Sequence, residues 1–545
     1  MKNKSDGYFR AGFLTLVLMS VAILSCDAVV FIADNDDDGI NELYVSQNNG
    51  TRVLMLSTGG DVQDFKISPD GSRVAYRADQ DTPGVVELYV NSINGGNPVK
   101  VTPDLAPDGD VEVPFALNFD AFNWSPDSNR IAYLADQEND DFYELFVSAP
   151  DGSSNFKVSG ELHTNFDGGD VLEFEWAPDS SLIAYRADQD FNGVIELYAN
   201  QPSATSTPTK VNSPLPDGGP LDVAAEPGSG FDVFEWAPDN SWIAYIADQD
   251  TNDVFELFTA ERITAVPPVF GLPVNVSGAQ VSGGDVKEFQ WAPGSFRIAY
   301  RADQDSNNVV ELYTATPDGS DNDKVSFTPV TSGDVAGFQW APNSALIAYR
   351  ADQDTNDVLE LYISPPDGST VPVKVSFIYP FVVGGSVGAF EWAPDSSLMA
   401  YLAVQDTDNV TELYTSSPDG SNNDQVSFKP LVTDGNVLEF KWAPDSSRIA
   451  YRADQDTDTI DELYSSLPDG SVNDKVSGPL TTDGDGGDVL EFKWAPDSSR
   501  IAYRADQDID NVDELYSSLP DGSGNRNISE LLVTNGNVST FEYTP

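Results

Sequence analysis

The chain has 545 residues, a formal net charge of −61, a sequence pI near 4.1 and 40% hydrophobic residues. The hydrophobic content permits a packed core, and the length allows several domains or one large repeat array. The charge repels nucleic-acid phosphates and anionic lipid headgroups, which excludes nucleic-acid binding and favours cations as partners. One cysteine, Cys26, and one histidine, His163, allow no intramolecular disulfide and argue against histidine zinc sites and Ser-His-Asp catalysis.

Residues 1–25 have the pattern of an export signal. Basic residues precede an apolar run that is too short for a comfortable membrane span. The segment ends in "ILSC", which resembles a bacterial lipobox. This resemblance implies lipidation of Cys26 and a mature chain, 26–545, anchored by lipid at the cell envelope, either in the periplasm or at the surface. The alternative is ordinary signal cleavage beside an incidental cysteine.

A unit of about fifty residues repeats along the rest of the chain. One copy, from Val437, reads "VLEFKWAPDSSRIAYRADQDTDTIDELYSSLPDGSVNDKVS". It predicts four short strands joined by turns rich in Asp, Ser and Gly. The Trp that ends strand one marks each copy; it recurs at Trp124, Trp176, Trp236, Trp291, Trp340, Trp392, Trp442 and Trp494, with Ile67 in the first full copy and Tyr543 in the last.

Four-stranded units of this length predict an all-β fold, a β-propeller of about ten blades. The first predicted strand, "VVFIAD", matches strand two of the repeat, and the last, "TFEYTP", matches strand one. We therefore expect the N-terminal and C-terminal strands to share a blade and close one ring, because closure leaves no free sheet edge. Two five-bladed rings remain the alternative.

Two stretches carry a family resemblance: "SPDGSRVAY" at 68–76, and the recurring "WAPDSSRIAYRADQD" followed by "ELY". They resemble the TolB-like propeller repeat over almost the whole mature chain. The resemblance implies a propeller fold. It implies no single function, because the relatives include periplasmic translocation proteins and the propeller halves of oligopeptidases. Ten units exceed the usual TolB-like ring, and no hydrolase-sized segment remains beside them.

The predicted loop between strands two and three is acidic in every copy. Oxygen-bearing side chains recur at its first, third and fifth positions, and Glu stands at the ninth. Calcium prefers six to eight such oxygens, and the spacing resembles the calcium-binding hairpin loops of integrin α-subunit propellers. We therefore predict Ca²⁺ ligands at Asp34, Asp36, Asp38, Glu42, Asp188, Asp190, Asn192, Glu196, Asp248, Asp250, Asn252, Glu256, Asp352, Asp354, Asn356, Glu360, Asp454, Asp456, Asp458, Glu462, Asp506, Asp508, Asp510 and Glu514.

The alternative is that these loops are solvated turns without metal. Arginines just before the loops would then pair with their carboxylates. Two copies lack a ligand, because Pro83 and Val404 replace acidic or amide residues, and we expect weak or empty sites there. The arginines are Arg77, Arg186, Arg301, Arg350, Arg452 and Arg504.

A second polar series lies six residues before the Trp position. The simplest interpretation is a turn in which the side chain accepts a local hydrogen bond. The alternative is a polar ring around one mouth of the central channel. The series comprises Asp61, Asn118, Asp170, Asp285, Asp334, Ser386, Asn436, Asp488 and Asn537.

The sequence contains no phosphate loop, HExxH or CxxC motif, and its one G-x-S-x-G match, at 384–388, leads into a predicted strand one and not into a helix, so it is not a nucleophile elbow. We therefore predict a non-enzymatic scaffold that binds an envelope protein or polysaccharide. Pro- and Gly-rich insertions at 103–119, 202–230 and 260–278 are the candidate partner contacts. Two alternatives remain: a lyase or glycosidase that uses carboxylates at the channel, and an array with a purely structural role.

Overall fold

A computed structural model describes most of the chain between Ala28 and Pro545. The described residues form strands and turns without a helix, so no helix able to cross a membrane lies among them. Residues 1–27, and with them the signal segment and Cys26, lie outside this part. The described ranges are 28–34, 39–47, 53–107, 109–112, 120–138, 142–162, 170–191, 193–213, 233–251, 253–327, 333–377, 385–427, 435–457, 459–480, 487–509, 511–529, 532 and 536–545.

The strands form ten antiparallel sheets, one for each blade of a propeller. The first five blades are, in turn, β1 (Ala28–Ala33), β2 (Glu42–Gln47), β3 (Val53–Met55) and the last strand of the chain, β41 (Val538–Tyr543); β4 (Val62–Ile67), β5 (Arg73–Ala78), β6 (Glu87–Ser92) and β7 (Val99–Lys100); β8 (Phe122–Trp124), β9 (Ile131–Ala135), β10 (Glu144–Ser148) and β11 (Asn155–Lys157); β12 (Val171–Trp176), β13 (Ile183–Ala187), β14 (Glu196–Asn200) and β15 (Thr209–Lys210); and β16 (Phe234–Trp236), β17 (Trp242–Ala247), β18 (Glu256–Ala265), β19 (Pro268–Phe270) and β20 (Val274–Asn275).

The second half of the ring repeats the four-stranded pattern without an extra strand. Blades six to ten are β21 (Val286–Trp291), β22 (Ile298–Ala302), β23 (Glu311–Ala315) and β24 (Asn322–Lys324); β25 (Val335–Trp340), β26 (Ile347–Ala351), β27 (Glu360–Ser364) and β28 (Val373–Lys374); β29 (Val387–Trp392), β30 (Met399–Ala403), β31 (Glu412–Ser416) and β32 (Asn423–Gln425); β33 (Val437–Trp442), β34 (Ile449–Ala453), β35 (Glu462–Ser466) and β36 (Asn473–Lys475); and β37 (Val489–Trp494), β38 (Ile501–Ala505), β39 (Glu514–Ser518) and β40 (Arg526–Asn527).

The predicted closure is confirmed. The strand β41 pairs antiparallel with β1, with Phe541 opposite Phe31, so the end of the chain supplies strand one of the first blade. The Thr544 amide donates to the Ala28 carbonyl at 2.9 Å. One ring of ten blades results, and the prediction of an all-β, ten-bladed propeller with a shared blade is correct.

The core lies between blades, because each sheet buries both faces against its neighbours. One core cluster joins Leu312 and Val325 of blade six to Trp340, Tyr349 and Tyr362 of blade seven. Inside a blade, Tyr349 and Tyr362 stack across β26 and β27 with ring centroids 5.4 Å apart. Alternating aromatic and β-branched residues in short strands supply these two buried faces.

The recurring Trp links the first strands of successive blades. The Trp340 Nε1–H donates to the Gln290 carbonyl of the preceding blade at 3.2 Å. Each bond satisfies a buried indole donor and ties two innermost strands together. The same bond forms at Trp124, Trp176, Trp291, Trp392, Trp442 and Trp494.

The turns between strands one and two form one face of the ring, here called the turn face. The Ser344 hydroxyl accepts from the Gly294 amide of the preceding blade at 2.9 Å, while Ser344 itself holds a φ of 60°. A non-glycine residue rarely adopts this left-handed conformation. The inter-blade hydrogen bond explains why Ser stands there, and it recurs at Ser128, Ser180, Ser295, Ser396, Ser446 and Ser498.

Candidate functional site

The acidic loops lie at the opposite end of strand two, on what is here called the loop face. Blade seven shows their geometry with every ligand position described. Asp352, at the first position, accepts two backbone hydrogen bonds, from Asp334 at 2.5 Å and from Asp357 at 2.9 Å. The first carboxylate therefore shapes the loop backbone. The amide of the residue at position six also bonds the first Asp in the loops that begin at Asp34, Asp79, Asp188, Asp248, Asp303 and Asp506.

These hydrogen bonds favour the ionised carboxylate. In blade two, the backbone amides of Gly84 and Asp61 hold the pKa of Asp79 below its ordinary value. A carboxylate that accepts two backbone hydrogen bonds has a structural role in the loop.

In seven blades, a member of the second polar series joins the blade to the one before it. The Asp334 carboxylate accepts from the Val310 amide in the loop of blade six at 2.7 Å, while its own amide bonds Asp352. The residues of this series thus connect the acidic loop of one blade to the acidic loop of the next around the loop face. Members of the series do the same at Asp61, Asp170, Asp285, Asn436, Asp488 and Asn537.

This role differs from the local turn that the sequence predicted. In blade three, Asp110 takes the place that the spacing assigned to Asn118: it accepts from Val86 and donates to Asp136. Asn118 itself lies outside the described residues. An insertion before β8 displaces the motif, so a fixed count from the Trp fails there.

A lysine on strand four neutralises the other two loop carboxylates. The Lys374 ammonium lies 2.8 Å from Glu360 Oε1 and 3.2 Å from Asp354 Oδ2. The Tyr362 hydroxyl donates to the second oxygen of Glu360 at 3.1 Å. Burial acts to lower the pKa of Lys374, but the hydrogen bond and charge of Glu360 outweigh it and raise the pKa above its ordinary value. The ammonium thus occupies the place between the third and ninth positions where a cation is expected.

The same lysine recurs in six blades and is replaced in four. It bridges loop carboxylates at Lys100, Lys157, Lys210, Lys324, Lys374 and Lys475. The register places Met55, Asn275, Gln425 and Asn527 at the equivalent position of the other four blades. The sequence analysis missed this division, although a Lys before Val in "DKV" and "VKV" was its signal.

The predicted calcium ligands therefore fall into two groups. Three sets have a lysine between their third and ninth positions: Asp188, Asp190 and Glu196; Asp352, Asp354 and Glu360; and Asp454, Asp456 and Glu462. Three sets lie in blades without that lysine, at Asp34 and Glu42, at Asp248, Asp250 and Glu256, and at Asp506, Asp508 and Glu514. The other predicted ligands Asp36, Asp38, Asn192, Asn252, Asp458 and Asp510 lie outside the described residues, whereas Asn356 is described and donates to Asp357.

Within the described ranges, no three His, Cys, Asp or Glu side chains are grouped as a metal site. One loop of the second group nevertheless holds a buried oxygen without a partner. Glu256 Oε1 accepts a hydrogen bond from Asn275 Nδ2 at 2.8 Å. Glu256 Oε2 is buried and has no hydrogen-bond partner. Phe258 stands where eight blades carry the Tyr hydroxyl that bonds this oxygen; blade three has Phe146 there, and its Glu144 Oε2 is unsatisfied as well. Burial raises the pKa of Glu256.

The arginines before the loops bond chiefly to the inner strands. Arg77 forms a two-pronged pair with Asp64 on strand one, at 2.8 and 2.6 Å, and Arg186 and Arg301 pair with Glu there. Arg452 and Arg504 reach a loop carboxylate, at the eighth position, through Asp461 and Asp513. Among the described loop residues, the alternative of Arg-paired loops thus holds for these two blades, whereas lysine bridges the loop carboxylates of six blades.

The carboxylates of the first strands, on which the enzyme alternative rests, also have structural bonds. Glu175 accepts from the Trp236 amide of the next blade at 3.2 Å, and Glu235 accepts from the Trp291 amide at 3.3 Å. Glu173 and Glu288 pair with arginines. Glu175 and Glu235 therefore join neighbouring blades, and Glu173 and Glu288 pair within one blade.

The insertion at 260–278 folds back on the ring. The extended β18 and β19 form a hairpin whose Arg262 contacts Asp179 of blade four at 3.0 Å and lies over the Trp236 ring. Ile263, Val266 and Leu272 on it are exposed. Of the other two insertions, 113–119 and 214–232 lie outside the described residues.

These features define the class of protein: a closed ten-bladed β-propeller with a lysine-bridged acidic loop face. No protein-family model and no curated protein matches the chain significantly. Among solved structures, TolB from Acinetobacter baumannii is similar at 13% identity over 54% of this chain and 62% of that one, less than two-thirds of its length, with a TM-score of 0.27.

Two further solved structures are similar over more of the chain. An oligogalacturonate lyase in complex with manganese shares 14% identity over 71% of this chain and 97% of that one, with a TM-score of 0.34. A eukaryotic initiation factor shares 11% identity over 82% and 95%, with a TM-score of 0.41. At these scores the neighbours carry no functional argument for this chain.

Proposed function

We propose that this protein is an exported, lipid-anchored scaffold that binds a protein or polysaccharide of the cell envelope through its loop face. The supporting observation is that the repeated polar groups of the loop face bond to other groups of the ring. Asp352, Glu360 and Asp334 bond to backbone amides, tyrosine or lysine of the ring itself. The loop-face side chains that differ from blade to blade are therefore the ones available to a partner. The export and anchor rest on the predicted signal 1–25 and Cys26.

Phe327 and Phe377 lie at a position that varies between blades. Each follows the Val-Ser pair after strand four, where blade eight also has Phe428 and blades four and nine carry Ser213 and Gly478. Phe327 and Phe377 are 56% and 48% exposed. The Phe377 amide donates to Gln405, in the loop of the next blade, which places it on the loop face. Exposed aromatic rings gain from burial against sugar rings or apolar protein surfaces, so they favour a binding role.

Variants at these two positions test the scaffold proposal. Phe327→Ser with Phe377→Ser gives blades six and seven the serine of blade four, and Val371→Ser removes an exposed apolar side chain elsewhere as the control. Binding of the soluble mature chain to purified envelope polysaccharides and proteins is measured by biolayer interferometry. We expect the double variant to weaken binding at least tenfold and the control to leave it unchanged. Equal binding by both variants would refute the role of the loop-face aromatics.

We propose further that Ca²⁺ binds the loops without a lysine, at 34–42, 248–256 and 506–514. The unsatisfied Glu256 Oε2 supports a cation in blade five, because a buried carboxylate oxygen without a partner fits a cation. Glu144 Oε2 is unsatisfied too, but Lys157 already bridges that loop. In loops with a lysine, Ca²⁺ has to displace a bound ammonium. The residues that would hold the ion are the predicted oxygens of these three loops, and its role would be stabilisation.

A calcium titration tests this second proposal. We expect the melting midpoint to rise with Ca²⁺ over EDTA and to respond less to Mg²⁺, because a ligand of the folded state stabilises it. Asn275→Lys, which gives blade five the lysine of its neighbours, should reduce that rise, whereas Asn275→Gln should not. An unchanged midpoint in the unmodified protein would show that the loops bind no calcium.

A further inference from the structure

Six of the second strands carry an arginine at the same register. Each lies directly across from a residue of strand one in its own blade. In five blades that residue is acidic; the exception is Gly337 in blade seven. Asp64, Glu173 and Glu288 pair with their arginines, whereas Glu439 and Glu491 lie close to Lys441 and Lys493. The six pairs are Arg77 with Asp64, Arg186 with Glu173, Arg301 with Glu288, Arg350 with Gly337, Arg452 with Glu439 and Arg504 with Glu491.

Arg350 also lacks an acidic partner in the loop that follows its strand. Arg452 and Arg504 bond an aspartate at the eighth position of their loops, but Leu359 stands there in blade seven. The Arg350 Nη1 donates to the Gly388 carbonyl at 2.6 Å and to Val387 at 3.3 Å. The Nε atom is buried and has no acceptor, as in Arg452 and Arg504, but those two guanidiniums have a carboxylate on Nη1. No carboxylate of the described residues pairs with this guanidinium.

An unpaired, partly buried cation is costly, because removing it from water is not repaid by an opposite charge. Burial, together with the Arg301 guanidinium of the neighbouring blade, lowers the pKa of Arg350. A native protein that keeps such a group usually supplies a partner for it, which can be a bound ion.

Space for that partner lies on the strand-one side of the guanidinium. A Cβ atom built on Gly337 meets no other atom within 4 Å. In blade two, Asp64 reaches across from this register, and its two oxygens accept from Nε and Nη2 of Arg77 at 2.8 and 2.6 Å. Gly337 thus leaves open the position that a side-chain carboxylate fills in the equivalent pair.

We propose that Arg350 and the gap at Gly337 form a binding site for the carboxylate group of a small-molecule ligand between blades seven and eight. The ligand carboxylate takes the place of the missing acidic side chain and accepts from Nε and Nη2, as Asp64 does with Arg77. A planar carboxylate matches the guanidinium fork, and such paired bonds are the strong class of hydrogen bond. The site needs no calcium and is independent of the proposed function.

Acetate serves as the probe of this site. The melting midpoint of the soluble mature chain is measured in sodium acetate and in sodium chloride of equal ionic strength, and acetate affinity is measured by calorimetry. We expect a saturable rise in acetate. Arg350→Gln should lose at least about tenfold in affinity, equivalent to about 1.4 kcal/mol. Gly337→Glu should melt higher than the unmodified chain in chloride and no longer respond to acetate, because its own carboxylate fills the gap.

Ala345→Glu is the matched control, since it adds the same charge to the same hairpin at its other, exposed end. It should keep the full acetate response. An acetate rise of equal size in Gly337→Glu or Arg350→Gln would show a general salt effect and overturn the proposal, as would no rise in the unmodified chain. Gly337→Glu keeps the test decisive even if Arg350→Gln fails to fold.

Discussion

Both faces of the ring join neighbouring blades by hydrogen bonds, but they use different chemical groups to do so. On the turn face, the Ser344 hydroxyl accepts the amide of the preceding blade at 2.9 Å and remains neutral. On the loop face, Asp334 and Asp352 carry out the inter-blade bonding as carboxylates, beside a lysine, a glutamate and a tyrosine. The cohesion of the loop face therefore depends on ionisation and that of the turn face much less. Changes of pH and single substitutions should therefore affect the two faces to different extents.

Alkaline pH should break the loop face first. The Tyr503 hydroxyl donates to Gln507 in the acidic loop, and burial raises the pKa of Tyr503 to about 12. A raised pKa in the folded state gives stability that is complete below pH 10 and is lost as the pH rises towards 12. One such tyrosine contributes on the order of 3 kcal/mol, and burial raises the pKa of Tyr185, Tyr245, Tyr300 and Tyr349 in the same way.

Absorbance at 295 nm and circular dichroism, recorded together against pH, check this expectation. Phenolate formation by the buried tyrosines should coincide with loss of the β-sheet signal. Ionisation of all the tyrosines near their ordinary pKa, with the sheet signal intact, would contradict it.

Asp352→Ala should cost the most among single substitutions. It leaves the amides of Asp334 and Asp357 without their acceptor. An unsatisfied buried donor costs about 1–3 kcal/mol, and these two amides are partly buried, so we expect a loss of about 2–3 kcal/mol. Urea unfolding measures the change, and Asp352→Asn, which keeps one acceptor oxygen, should lose about half as much. Equal stability of the Ala and Asn variants would show that the carboxylate does not hold these amides.

Much of this arrangement followed from the sequence. The Trp register gave the number of blades, and the strand types at the two ends of the described ring gave its closure. What remained hidden are the contacts between blades. Asp334 and Val310 are near in sequence, but nothing in their spacing shows that one accepts from the other across two sheets. Lys374 and Glu360 likewise meet only through the pairing of β27 and β28.

Ser344→Ala tests the turn face of the same blade. It removes the acceptor of the Gly294 amide and keeps a side chain at a φ of 60°. We expect a loss of about 1–3 kcal/mol in urea unfolding. Ser344→Gly should lose about 1 kcal/mol less, because glycine relieves the left-handed strain. The Asp352 and Ser344 variants should also differ in salt response, with only the former moderated by salt; identical responses would refute the contrast between faces.

Val404→Asp should have the smallest effect, and a stabilising one. Blade eight is the copy in which the first loop carboxylate is missing, and Asn409 there already holds the positive φ of position six. The new carboxylate gains the two amide partners that Asp352 has in blade seven, for about 1 kcal/mol. Thermal melting measures the gain, with Val404→Asn as the uncharged control. A lower midpoint for the Asp variant would show that blade eight is shaped around valine.

The seam between β1 and β41 has a mechanical consequence. Ala28 and Thr544 lie side by side at one end of an antiparallel pair. A pulling force applied to the two ends of the ring therefore loads these hydrogen bonds one after another, starting from the Thr544 amide, instead of shearing them all at once. The seam should open at low force, as a zipper does, before any other blade yields.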